Sequence, residues 1–237
     1  MSNQSPKVKG VVDIVVMLDA TGSMQPCIEA LKENVHAFIQ SLTEKDANGS
    51  APVREWRAKV VGFRDFKADG SDAFQDHPFV DNSEALRDQL RDLRAEGGGD
   101  ERESLLEAIY KVATLPATDR GEAPRPDAWR YRSDAHRAVI VFSDASFRRE
   151  LVEPAGATIE DVLNAIESNR LVLTIFAPDV EPYSELATVD KCEYHAVKGG
   201  ATPQESLEIF SKDRAKFQET LQKLGRTLSQ TVAATPL

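Results

Sequence analysis

The sequence predicts an α/β protein built on a mostly parallel six-stranded sheet with helices on both faces. Short runs rich in β-branched apolar residues recur along the chain. Longer segments with apolar residues at helical spacing separate these runs, and the two patterns alternate through most of the chain. This alternation is typical of a parallel sheet, because parallel strands need a crossover connection that is usually a helix.

The first apolar run, residues 11–18, is the most informative strand candidate. It lacks the polar and apolar alternation of a half-exposed strand, which indicates burial on both faces of a sheet. The other strand candidates are 57–64, 136–143, 170–177 and 193–197. Residues 66–81 contain Gly70 and are interpreted as a loop or hairpin with a short antiparallel edge strand at 77–80.

Amphipathic segments between the strands are helix candidates. The clearest lies at 25–43, where Ile28, Leu31 and Val35 begin an apolar stripe at helical spacing. The remaining helix candidates are 83–94, 102–114, 158–168, 183–190 and 203–230.

The chain is predicted to form a single domain. Its 237 residues are enough to bury a sizeable core. The domain is placed at 11–230, with tails at 1–10 and 231–237. Residues 115–134 contain three prolines and several charges. They are interpreted as an exposed loop within this domain, because the strand after them continues the same pattern.

Composition narrows the class of protein. Hydrophobic residues make up 41% and charged residues 29%, which is ordinary for a soluble domain. No apolar run is long enough to cross a bilayer, and residues 1–10 lack the apolar core of a secretory signal. We therefore expect a cytoplasmic protein that does not bind membranes. The net charge of −10 also argues against nucleic acid as the main partner, because nucleic-acid binding requires neutralisation of phosphates.

Polar side chains follow the first strand at the point where it ends. Asp19 is the first polar group after the apolar run 14–18, and Thr21 and Ser23 follow at two-residue spacing. Carboxylate and hydroxyl oxygens suit a hard divalent cation such as Mg²⁺, Mn²⁺ or Ca²⁺. The alternative interpretation is that Ser23 simply caps the helix that follows.

Two later segments are expected at the same edge of the sheet, because the carboxyl ends of parallel strands lie together. The strand candidate 136–143 is followed by Asp144, as the first strand is followed by Asp19. The glycine-rich loop Gly97-Gly98-Gly99 leads to Asp100 near the start of a helix. Two carboxylates this close would repel each other unless a cation lies between them.

These motifs resemble those of von Willebrand factor A (vWA) domains. Asp19-Ala20-Thr21-Gly22-Ser23 is similar to their Asp-x-Ser/Thr-x-Ser motif, while Gly97-Gly98-Gly99-Asp100 and Ser143-Asp144 are similar to their second and third metal loops. The resemblance covers about residues 11–230. It implies a Rossmann-like fold with strand order 3-2-1-4-5-6 and a metal-ion-dependent adhesion site. Thr21 and Ser23 would bind Mg²⁺ directly, and Asp19 and Asp144 directly or through water.

The second loop departs from the commonest vWA pattern, which has a threonine there. Asp100 is the closest match, and Glu101, Glu103 and Ser104 are alternatives for the same position. The predicted metal ligands are therefore Asp19, Thr21, Ser23, Asp100 and Asp144. An additional carboxylate in this set would hold the cation more firmly and would weaken its attraction for an acidic partner.

The resemblance implies a binding module rather than an enzyme. The cation would link the domain to an acidic side chain of a partner protein, and cytosolic vWA proteins of this size often act beside AAA+ ATPases, kinases or phosphatases. A scaffold with a purely structural metal is a further possibility.

A phosphoryl-transfer hydrolase is the alternative from another class. Residues 18–23 also resemble the aspartyl-phosphate motif of haloacid-dehalogenase-like enzymes, in which Asp19 would be the nucleophile and Mg²⁺ would assist. However, Ala20 stands where those enzymes have lysine or aspartate, and Asp179 is not followed by the expected second acid.

Overall fold

A computed structural model of the chain describes residues 10–45, 49, 51–97 and 102–234. Its strands are β1 (Val11–Asp19), β2 (Glu55–Phe63), β3 (Phe74–Asp76), β4 (Arg102–Glu103), β5 (His136–Phe142), β6 (Ser146–Phe147), β7 (Leu171–Pro178) and β8 (Cys192–Val197). Its α-helices are α1 (Gln25–Leu42), α2 (Phe66–Asp69), α3 (Ser83–Asp92), α4 (Leu105–Ala113), α5 (Ile159–Ser168), α6 (Tyr183–Leu186), α7 (Pro203–Lys212) and α8 (Arg214–Ala234).

Six strands form the main sheet, in the order β3-β2-β1-β5-β7-β8. All neighbours are parallel except β3, which runs antiparallel to β2 at the edge. The predicted α/β class and mostly parallel six-stranded sheet are confirmed. The strand order, 3-2-1-5-7-8, is not the predicted 3-2-1-4-5-6. The numbers differ because β4 and β6, which the sequence analysis did not predict, lie between sheet strands in the chain and pair with each other in a separate two-stranded sheet.

The central strands are buried on both faces, and a hydrophobic core lies on each side of the sheet. Every residue of β1 is buried, which explains the continuous apolar run in its sequence. Helices α1, α3, α7 and α8 contribute to one core, and α4, α5 and α6 contribute to the other. The described residues contain no helix with the length and apolar composition required to cross a bilayer.

Several predicted elements have different boundaries in the structure, among them the helix expected at 183–190, which ends at Leu186. The antiparallel edge strand lies at 74–76 rather than 77–80. The helix expected at 102–114 begins at Leu105, because the two residues at its predicted start form β4. The segment 203–230 forms two helices that are separated at Asp213. The Asp213 side chain accepts a hydrogen bond from the backbone N–H of Lys216 at 3.2 Å and so caps the start of α8.

The opposite end of the sheet is held together by buried charges. Asp13 accepts hydrogen bonds from the Arg57 side chain at 2.8 and 2.7 Å, from the Arg130 side chain at 2.6 Å and from the Arg130 backbone at 2.7 Å. These bonds fix residues 115–134 to β1. This segment is therefore not the fully exposed loop that the sequence predicts, and Trp129 within it is completely buried.

Candidate metal centre

The pairing of β1 with β5 brings the first two predicted acids to one edge of the sheet. Leu18 lies opposite Phe142, so Asp19, the last residue of β1, and Ser143, the first residue after β5, lie side by side at this edge. Asp144 is the next residue. Asp19 and Asp144 are only 0% and 1% exposed, although charged carboxylates are rarely buried without a partner.

Hydrogen bonds fix both oxygens of the Asp19 carboxyl group. Its Oδ1 accepts from the backbone N–H of Thr21 at 3.0 Å and from the Thr21 hydroxyl at 2.8 Å. Its Oδ2 accepts from the Ser143 hydroxyl at 3.0 Å. Because one partner follows β1 and the other follows β5, these bonds connect the ends of two neighbouring strands.

Ser23 extends this cluster from Thr21 toward Asp144. Its Oγ lies 3.3 Å from Thr21 Oγ1, and its hydroxyl is near enough to the Asp144 carboxyl group to lower the pKa of that group. Ser23 is solvent-exposed, so the cluster opens toward the surface at this residue. The capping interpretation is wrong, since α1 follows directly on Met24 and has no side-chain cap hydrogen bond.

Burial makes the two carboxylates costly to ionise. Burial, followed by repulsion from Asp144, raises the pKa of Asp19 from 3.8 to about 7, against the opposing effect of its hydrogen bonds. Burial likewise raises the pKa of Asp144, and the nearby hydroxyl of Ser23 opposes this rise. A cation beside both groups would favour their ionised forms.

Glu103 adds a third buried acid to this region. It is 4% exposed and is fixed by the pairing of β4 with β6, opposite Phe147. Burial, then the charges of Asp19, Asp65 and Asp144, raises its pKa from 4.5 to about 9. Glu103 is one of the alternatives for the second-loop position, and its place near these acids depends on the β4–β6 pairing, which no sequence pattern predicts.

The other second-loop candidates have different positions. Asp100 and Glu101 lie outside the described residues. Ser104 is buried, and its hydroxyl accepts a hydrogen bond from the backbone N–H of Phe66 at 3.0 Å.

Asp65 is a structural residue at the rim. It caps α2 by accepting from the backbone N–H of Lys67 at 2.8 Å. It also forms a bidentate ion pair with Arg148, at 2.5 and 2.8 Å. The neighbouring Arg64 donates to the backbone carbonyls of Glu96 and Asp72.

The donor set fits a hard divalent cation. Within the described part of the chain, Asp144 Oδ2 and Glu103 Oε2 are buried without a hydrogen-bond partner, so each keeps lone pairs available. The described residues contain no group of three or more His, Cys, Asp or Glu side chains that could hold a metal ion. The charges of Asp19 and Asp144 nevertheless contribute to the raised pKa of Glu103, so the three acids affect one another electrostatically.

Cys27 and Tyr183 lie near the cluster and add no charge to it. Cys27 is buried, and burial with the nearby carboxyl groups raises the pKa of its thiol to about 12, so it remains protonated. The Tyr183 hydroxyl donates to the backbone carbonyl of Ala145 at 2.7 Å and fixes the turn that carries Asp144.

Comparison with known proteins shows a likeness of fold alone. No known protein family and no curated protein sequence matches this chain. A structure of proximal thread matrix protein 1 from the mussel byssus is similar with a TM-score of 0.54 and 13% sequence identity, over 94% of this chain and 48% of that one. A second crystal form of the same protein has a TM-score of 0.49 and 15% sequence identity, and the match covers 90% of this chain and 50% of that one. The chain spans about half the length of these structures.

Proposed function

We propose that this chain is a vWA-type domain that binds a partner protein through a divalent cation, Mg²⁺ or a similar hard ion, without catalysing a reaction. The observation that carries the proposal is the oxygen cluster at the carboxyl edge of β1 and β5. Hydrogen bonds join Asp19, Thr21 and Ser23 there, and the buried carboxyl group of Asp144 lies close enough to affect the pKa of Asp19. The strand order, renumbered without β4 and β6, supports a Rossmann-like vWA fold.

Each residue of the cluster has a distinct role in this proposal. Thr21 and Ser23 supply hydroxyl ligands, and Asp144 supplies its free oxygen. Asp19 orients the Thr21 hydroxyl and balances the charge of the ion, and Asp100 and Glu103 are the acidic residues available from the second loop. When bound, the cation would attract an acidic side chain of the partner.

The partner is proposed to be an acidic surface of an ATPase, kinase or phosphatase system in the cytoplasm. The exposed position of Ser23 supports access from solvent. Membranes and nucleic acids are not proposed as partners, because the net charge of −10 would repel anionic surfaces.

The hydrolase alternative fits the geometry less well. Asp19 has no solvent exposure, and each of its oxygens already accepts a hydrogen bond from this chain. A nucleophile would need a free oxygen directed at the substrate.

Titration calorimetry with Mg²⁺ tests the proposed site. We expect the natural chain to bind Mg²⁺, and Asp19→Asn or the double variant Thr21→Ala with Ser23→Ala to lose this binding. Ser146→Ala is a matched control, because Ser146 lies in β6, two residues after Asp144, and no described hydrogen bond joins its side chain to the cluster. The proposal would be rejected if Asp19→Asn and the double variant, with folding verified by circular dichroism, bound Mg²⁺ as tightly as the natural chain.

Two further measurements separate the function classes. A pull-down from cytosol with and without a chelator should recover a partner only when the cation is present. Turnover of p-nitrophenyl phosphate that disappears in Asp19→Asn would instead establish the hydrolase.

A further inference from the structure

A groove of about 480 Å³ lies between the edge strand β8 and the C-terminal helix α8. Phe176 and Phe210 contribute apolar surface to it, and both are buried in the core on this side of the sheet. His195 stacks on Phe176, with ring centroids 4.8 Å apart, and remains largely exposed. The groove therefore presents an apolar and aromatic surface at its base.

The backbone of β8 forms part of the wall. The strand ends the main sheet, and β7 is its single partner among the described strands. Residues 195–198 line the groove consecutively. Neighbouring side chains of a strand point to opposite faces, so four consecutive lining residues indicate that the strand edge itself is accessible. An accessible edge can pair with an additional strand.

The charge of the groove is opposite to that of the whole protein. Lys216 and Lys223 line it from α8, and Lys198 lines it from the end of β8. Lys198 pairs with Asp179 at 2.6 Å, but the ammonium groups of Lys216 and Lys223 form no ion pair with any described residue. Glu193 is the one carboxylate among the described lining residues, and it pairs with His195 at 3.5 Å.

We propose that this groove binds an extended acidic segment of a partner protein. The segment would add to β8 as a further strand, place apolar side chains on Phe176 and Phe210, and direct carboxylates toward Lys216 and Lys223. The unpaired lysines in a protein of net charge −10 support this choice by charge complementarity. The N-terminal segment 1–9 is a poor occupant, because it contains two lysines and no acid.

The interaction is independent of the divalent cation, so it is tested in the presence of EDTA. Fluorescence anisotropy would follow a short labelled peptide in which every second residue is glutamate, valine or phenylalanine, with threonine between them, so that the acidic and apolar side chains lie on one face of the added strand. We expect this peptide to bind, its lysine-containing counterpart not to bind, and the affinity to fall with added salt. Hydrogen exchange of the β8 amides should slow when the acidic peptide is bound.

Charge-reversal variants locate the binding to the groove. We expect Lys216→Glu and Lys223→Glu each to weaken binding about fivefold or more. Arg226→Glu is the matched control, since this exposed residue of α8 does not line the groove. The proposal is overturned if the acidic peptide does not bind, if the two lysine variants bind it as the control does, or if a single-stranded oligonucleotide binds equally well.

Discussion

Glu103 and Asp144 each bury a carboxylate oxygen that has no hydrogen-bond partner among the described residues. Such atoms are costly, because a buried acceptor without a donor loses its hydration without compensation. Asp13, near the other end of β1, avoids this cost because Arg57 and Arg130 form ion pairs with its carboxylate. The carboxyl groups of Glu103 and Asp144 have no arginine partner among the described residues. An added cation would compensate for their lost hydration and would stabilise the folded state.

The contribution of Glu103 can be tested by removing its charge. We expect Glu103→Gln to lower the Mg²⁺ affinity about tenfold, because a nearby cation favours the ionised form of Glu103 and the variant cannot supply that charge. Titration calorimetry measures this change. Glu107→Gln is the matched control, since Glu107 is also buried but the charges that most affect its pKa are Arg148 and Asp65. Equal losses in both variants would show that Glu103 has no specific role.

Among the secondary-structure elements, α8 is packed unusually close to α1. A Cβ atom on Gly225 would fall well inside contact distance of Ser41 Oγ and would lie 3.0 Å from the backbone atoms Leu42 N and Phe38 O. Glycine is required here by the approach of the two helices, although it lowers helix propensity. This contact helps to hold α8 against the sheet, where it forms one wall of the groove beside β8.

Substitution of this glycine tests the close approach. Gly225→Ala should lower the free energy of unfolding by about 1–3 kcal/mol through overpacking, despite an intrinsic gain of about 1 kcal/mol in helix propensity. Urea denaturation measures the difference. Adding Ser41→Ala removes the nearest atom and should recover part of the loss. A Gly225→Ala variant more stable than the natural chain would contradict the observed packing.

For the molecule as a whole, the raised pKa values link stability to pH and to the cation. The folded state holds protons on Asp19 between pH 3.8 and about 7, and on Glu103 between 4.5 and about 9, where the unfolded chain has released them. The stability of the metal-free protein should therefore fall as the pH rises through this window.

Thermal unfolding at pH 5.5 and pH 8, with and without Mg²⁺, measures this linkage. Mg²⁺ should raise the free energy of unfolding by about 2.7 kcal/mol when its concentration is about a hundred times its dissociation constant. The increase should be larger at pH 8, because protons no longer compete for the carboxylates. A larger effect of Mg²⁺ at pH 5.5 would have the wrong sign and would exclude these groups as its ligands.

The sequence by itself determined the features that depend on neighbouring residues. The buried run of β1 ends at Asp19, and the two-residue spacing to Thr21 and Ser23 brings their hydroxyls together through local turn geometry. The alternation of apolar runs and amphipathic segments likewise determined the α/β class and the mostly parallel sheet, because each pattern reflects the period of one element. The break at Asp213 was missed, since the apolar stripe continues through it.

Only the tertiary structure decided which distant residues meet. Ser143 reaches Asp19 because β1 and β5 pair in one particular register, and Glu103 approaches because two-residue strands pair outside the main sheet. Strands this short have no periodicity of their own, so their pairing depends on the packing of the elements around them. The groove beside β8 likewise depends on where α8 crosses the sheet, and the close contact at Gly225 fixes that position.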